Sequence, residues 1–471
     1  MAVQTVSSEI SSDLAVVAGD LHHILRQWHT SPTAALQANL SIFRDYGEPR
    51  ATTQVRDLVL KLLDNLDVRN PAAADLLRQR FFDNEVAYVL ANRLNVSESI
   101  VFRRQREALI ALAEITWAEE QKVRRQQAQK TLERLPDSTY HTLFGVERPY
   151  RRLESVLTQA GLPWLIAVDG LGGIGKTSLV DYLVRNVSLM GDYVDVVWIS
   201  ARRHSLALSG QIVKSDEPAM HGHELLDQLV DILDLPLARP FGPEHALSAL
   251  RERFAKPHII VIDNMETVID YQSILPTLRK LVNPSKVIIT SRHSLGDEAG
   301  VHCTSLSELK LADATALLKS EAEVRGIDVL LDAPPAVYEE IYQTVGGNPL
   351  ALKIVTGLVR VRDIPAVLAD LREGRAGRAD ALYTYIYREA WDVLSEAARH
   401  ALLAMPLVVG DGGTLSHLAA ITGLAPDELS KALEELIAHS LISVGGTLEE
   451  RRYHIHGLTE TFLQNEVAKW L

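Results

Sequence analysis

The spacing of apolar positions changes character along the chain. Residues 8–70 place apolar side chains three and four apart, which predicts amphipathic helices, with breaks near Ser31-Pro32 and Gly47-Glu48-Pro49. The same period resumes at 84–115. Between 164 and 303 it gives way to short continuous apolar runs at 164–168, 194–200, 258–262, 286–289 and 301–303. Runs of that length, set between helical stretches, predict buried parallel strands. From residue 311 the helical period returns, and 384–440 predicts three or four amphipathic helices. Residues 441–444, Gly445-Gly446 and 453–456 then predict a β-hairpin, and helices closed by a hairpin make a winged helix. Glu373 to Arg378 predicts a hinge. The expected fold is multidomain α/β plus α. It comprises an all-α region at 1–135, a parallel-sheet α/β region at 136–305, a helical region at 306–376 and a winged helix at 377–471.

Within the first region, 84–93 predicts a short helix, 94–96 a turn, and Ser97 the cap of a longer helix reaching about Ile115. Val86, Leu90, Leu94, Val96, Val101, Leu109 and Leu112 are its expected core. This is a helix-turn-helix layout, similar to that of bacterial sigma-region-4 factors. Its second helix carries Arg103, Arg104 and Arg106, so DNA through 84–115 is one candidate partner and a protein surface the other. Residues 116–134 are expected to form a polar helical linker.

The densest chemistry follows the first strand. Gly170, four intervening residues, then Gly175-Lys176-Thr177 form a phosphate-binding loop between a strand and a helix. Its glycines, Gly170, Gly172, Gly173 and Gly175, with Ile174 and Ser178, let backbone amides wrap a phosphate at a helix N-terminus. Lys176 is expected on the β- and γ-phosphates, and Thr177 on Mg²⁺. The third strand delivers Asp263 to the same sheet edge as a second Mg²⁺ ligand, and Glu266 follows as a candidate for polarising an attacking water. The fourth ends in Thr290-Ser291-Arg292, which sets a cation where it senses a γ-phosphate.

Composition narrows the classes. The chain has 471 residues, 47% of them hydrophobic, and a net charge of −13. Residues 1–135 hold 17 basic and 17 acidic residues, so the rest, with 31 and 44, carries the whole excess. An acidic body disfavours non-specific nucleic-acid binding, so any such contact is expected from the N-terminal region. One cysteine, Cys303, offers no disulfide framework and reads as an inert buried thiol. The histidines at 22, 23 and 29 lack companion ligands and read as solvated. No apolar run has the length of a membrane span and no export signal opens the chain, so a cytoplasmic location and no membrane partner are expected.

Together Gly170–Thr177, Ile260–Asp263, Thr290–Arg292, Gly347–Leu350 and Tyr453–His456 resemble a STAND-class signal-transduction ATPase with an NB-ARC module, over about 140–465. The resemblance implies ATP and ADP with Mg²⁺ as cofactors. It also implies that Pro349 packs on adenine, with Phe144 to Glu147, and so Phe144 and Val146, beside it. Arg292 becomes the γ-phosphate sensor, and His456 the residue that locks ADP in a closed state. The sequence departs from the pattern in three places. Asn264 replaces a second acid after Asp263, Gly457 replaces the acid after the histidine, and no arginine follows Gly145. No internal period of 20–50 residues provides a repeat sensor. Three functions follow: an ADP/ATP switch that oligomerises in the ATP state and engages an effector or sensor protein; a DNA-binding regulator; and a nucleotide-bound scaffold that does not hydrolyse.

Overall fold

The structure, a computed structural model, describes the chain apart from residues 1, 30–39, 45–50, 189–192, 202–203, 207–211, 215–220, 238, 269–270, 361, 374–386, 388, 409–411, 448–449, 456–458, 460–462 and 464–471. Two compact units emerge, one at Met1–Glu133, the other at Arg134–Ser188 with Asp192–Leu471. The expected breaks at 31–32 and 47–49, most of the 373–378 hinge, and His456 lie outside the described residues.

The first unit is helical, with Ala2–Arg26, Ala51–Arg69 and Pro71–Phe81 as its longer early helices. They close a core around Leu21, Ile24, Leu63, Leu77 and Leu112. Helix Ala87–Arg93, a turn at Asn95 (φ 52°) and helix Glu98–Arg134 follow one another in this unit. Two details differ from expectation. Val86 and Leu94 are exposed, while Leu90 and Val101 are buried in a small cluster with Leu76, Ala87 and Ala91. The second helix also runs unbroken for 37 residues. No glycine or proline interrupts 116–134, and Thr116 and Glu120 extend the buried stripe, Glu120 accepting the Ile42 N–H at 2.9 Å.

The second unit is built on a parallel sheet of order β2-β5-β6-β1-β7. Its strands are β1 Leu165–Asp169, β2 Asp195–Ser200, β5 His258–Asp263, β6 Lys286–Ser291 and β7 Val301–Ser305. The central strands β1, β5 and β6 are buried along their whole length, as expected where helices cover both faces. In the polar excursion, β3 His204–Leu206 pairs antiparallel with β4 Ile212–Lys214. Register aligns the functional ends. Asp169 pairs with Ser291 across β1 and β6, and Ser200 with Asp263 across β2 and β5. The carboxyl ends therefore open along one edge, where ligands of open α/β sheets bind.

After β7 the chain is helical, with Leu311–Arg325, Pro335–Val345, Pro349–Val359, Glu396–Ala404, Leu415–Thr422 and Pro426–Ala438. Strands β8 Ile442–Gly446 and β9 Arg451–Ile455 then pair antiparallel as the expected hairpin. One continuous apolar core runs from Leu171 in the glycine-rich loop, through these helices, to Ile442. Among the described residues, no helix is long and apolar enough to cross a membrane.

Candidate functional site

The loop 170–175 passes from β1 into helix Lys176–Ser188. Gly170 sits at φ +142°, and a Cβ there would lie 2.7 Å from the Leu306 carbonyl oxygen. Gly173, at φ +76°, would place a Cβ 2.7 Å from Leu350 Cβ. Both positions exclude a side chain, because the loop is pressed against the following segments. Lys176 Nζ donates to the Gly170 and Leu171 carbonyls at 2.7 and 3.1 Å. Burial pushes its ammonium down to about 8, opposed chiefly by the Glu266 carboxylate.

Asp263, 1% exposed at the end of β5, anchors the next layer. Its Oδ1 accepts the Thr177 hydroxyl at 2.7 Å and the Thr290 hydroxyl at 2.6 Å. Thr290 in turn accepts the Asn264 N–H at 2.9 Å. Asn264 turns the chain in the left-handed region (φ 61°, ψ 48°), a conformation asparagine tolerates, and sends it into the short 3-10 turn Met265–Thr267. Glu266 thereby comes beside Arg292. Its side chain is 1% exposed and its Oε1 lies 3.4 Å from Arg292 Nε, while its buried Oε2 has no hydrogen-bond partner among the described residues. Thr177 Oγ1 and Asp263 Oδ1 are adjacent hard oxygens, a donor set that fits Mg²⁺, which takes few protein ligands.

Helix Pro349–Val359 approaches the loop end-on. Asn348, fully buried, caps that helix by accepting the Leu350 and Ala351 N–H groups, and its Nδ2 donates to the Gly172 carbonyl at 3.0 Å. Leu350 N–H adds a bond to the Gly173 carbonyl at 3.3 Å. The turn after helix Pro426–Ala438 meets the segment that follows β6. Ser440 Oγ donates to the Arg292 carbonyl at 2.9 Å, and Ser294 N–H to the Ala438 carbonyl at 2.7 Å. The rings of His293 and His439 meet edge-on at 4.6 Å, and burial lowers both imidazoles, His439 to about 4.

These groups surround a cavity of about 570 Å³, within the range of a small-molecule site. Gly172, Gly173, Gly175, Lys176, Thr177, Ser178, Asp263, Arg292 and Pro349 line it, so the structure gathers most of the sequence-predicted residues. Gly170, the buried Ile174 and Glu266 do not line the cavity. Phe144 packs on the C-terminal core, and Val146 caps helix Glu147–Thr158; neither lines the cavity. Sequence reasoning did not single out Tyr140, Asp181, Trp198, Ser200 or Lys353, all of which line it. Ser200 was within reach, since it ends β2 at the open edge. Cys303 is half-buried, and burial raises its thiol to about 11, in keeping with an inert group.

No family profile matches the chain. The disease resistance protein RPP8 of Arabidopsis thaliana is 26% identical over 250 residues, 50% of this chain. That stretch is 25% of RPP8, so the match spans a quarter of the curated relative's length. Among solved structures, the Aeropyrum pernix ORC2 protein is similar at a TM-score of 0.41 and 15% identity, over 70% of this chain and 98% of that one. The Pyrococcus horikoshii STAND protein PH0952, with a tetratricopeptide repeat sensor, is similar at 0.31 and 18%, over 70% and 44%. The phosphate-loop motif at the carboxyl edge of this parallel sheet gives the chain a P-loop NTPase α/β fold, and its sequence is similar to part of a disease resistance protein.

Proposed function

We propose that this chain is a nucleotide-gated signalling switch, closed with ADP and open with ATP. The observation that carries this is mechanical. The phosphate loop and the sensor strand are each hydrogen-bonded to the C-terminal helices, through Asn348–Gly172 and Ser440–Arg292. A γ-phosphate beside Arg292 therefore acts on a residue whose own carbonyl holds the far helical segment. A ligand shifts such an equilibrium only by its differential affinity for the two states. Bound nucleotide draws Lys176 from the loop carbonyls to the phosphates. Mg²⁺, held by Thr177 and Asp263, would neutralise phosphate charge. With Asn264 in place of a second acid and Glu266 paired to Arg292, hydrolysis is slow and serves as reset.

In this reading 306–376 and 377–471 act as the moving helical and winged-helix regions, and Pro349 covers the adenine. His456 as the ADP lock rests on the family resemblance. The N-terminal region engages a protein effector or neighbouring protomer, supported by exposed Val86, Tyr88, Leu94 and Phe102 around the helix-turn-helix. Arginines on the same helix favour the second reading, DNA. Salt-dependent DNA binding lost in Arg103→Ala/Arg104→Ala selects it. The switch is tested by light scattering with ADP and with ATP. It predicts a larger species with ATP alone and faster ADP release in His456→Ala. One size with both nucleotides, and an unchanged release rate, contradict it.

A further inference from the structure

Beyond the phosphate loop, the cavity is lined by Pro349, Leu350 and Lys353 of one helix and by residues of segment 136–140. Asp181, one turn along the helix from Thr177 and 5% exposed, holds that segment in place. Its Oδ2 accepts the Tyr140 hydroxyl at 2.8 Å and the Ser138 hydroxyl at 3.1 Å. Arg185 Nε donates to both its oxygens at 2.9 and 2.8 Å, and the same guanidinium donates to the Pro136 carbonyl. Lys353 Nζ pairs with Glu321 at 3.0 Å and reaches the Thr139 carbonyl of the same segment at 3.5 Å. The apolar faces of Pro136, Pro349 and Leu350 suit a flat ring.

We infer that Asp181 is a positioning residue for nucleoside recognition, holding segment 136–140 as the wall against which base and ribose pack. The phosphates and the nucleoside are thus gripped by different parts of one helix, its N-terminus and its second turn. This rests on the nucleotide-binding reading, and the test separates the two.

The purified full chain is titrated with ADP and with inorganic pyrophosphate, as wild type, Asp181→Ala and Tyr140→Phe. Losing a carboxylate that accepts several hydrogen bonds is expected to weaken ADP about tenfold or more in Asp181→Ala, with pyrophosphate held within about twofold. Tyr140→Phe, which deletes one hydroxyl, shifts ADP affinity the same way by less, and carries the test if Asp181→Ala does not fold. Unchanged ADP affinity, or ADP and pyrophosphate lost in parallel, overturns the inference and leaves Asp181 as a brace of the helix. Wild-type protein that binds neither ligand overturns the nucleotide reading itself, and this inference with it.

Discussion

Asn348 is the joint between phosphate loop and helical region, and its loss can be resolved into two parts. Asn348→Ala removes a side-chain cap from helix Pro349–Val359, which costs about 1 kcal/mol. It also strips the buried Gly172 carbonyl of the Nδ2 donor at 3.0 Å, worth about 1–3 kcal/mol. The sum is about 2–4 kcal/mol. Asn348→Asp keeps the acceptor, and its charge suits a helix N-terminus, but it cannot donate to Gly172. It should therefore fall between wild type and Asn348→Ala in stability. Because Gly172 lines the cavity, both variants should also bind ADP more weakly. Denaturant midpoints by circular dichroism, with ADP titrations on the same samples, read the two effects. Asn348→Ala within about 0.5 kcal/mol of wild type refutes the accounting. Asn348→Asp indistinguishable from wild type refutes the Gly172 bond as a contributor.

Other outcomes follow from the same geometry. Lys176→Ala should abolish nucleotide binding, and retained affinity counts against the whole site. In the wild type, ADP affinity should be level below pH 8 and fall as pH rises through it, because burial holds the free ammonium near 8 while a bound phosphate raises it; calorimetry in buffers of different ionisation heat reads the coupled proton. Burial lowers His258 to about 4, so its imidazole stays neutral in the fold while the unfolded chain protonates near 6.5. Its stability contribution is complete above pH 7 and is lost as pH falls from 6.5 towards 4. Denaturant midpoints that stay level across that window contradict this.

The nucleotide-binding half was legible because its signals are local. The loop at 170–177 sits between a strand and a helix, and each apolar strand carries its functional residue at its own end. What escaped depends on tertiary packing. Asp181 reads as an ordinary helix position until the chain 41 residues upstream folds back to place Tyr140 on it. Glu266 follows Asp263 closely in sequence, yet the left-handed turn at Asn264 brings it against Arg292, outside the cavity lining. The long second helix of the N-terminal unit was divided because 116–134 looks polar, whereas its buried Glu120 is satisfied by a distant backbone amide.

What the cavity holds decides between a locked switch and an empty site. Purified protein is denatured and the released nucleotide is identified by chromatography. ADP at close to one per chain is the expected result. Protein that releases no nucleotide, and then binds neither ADP nor ATP, contradicts the nucleotide-binding reading.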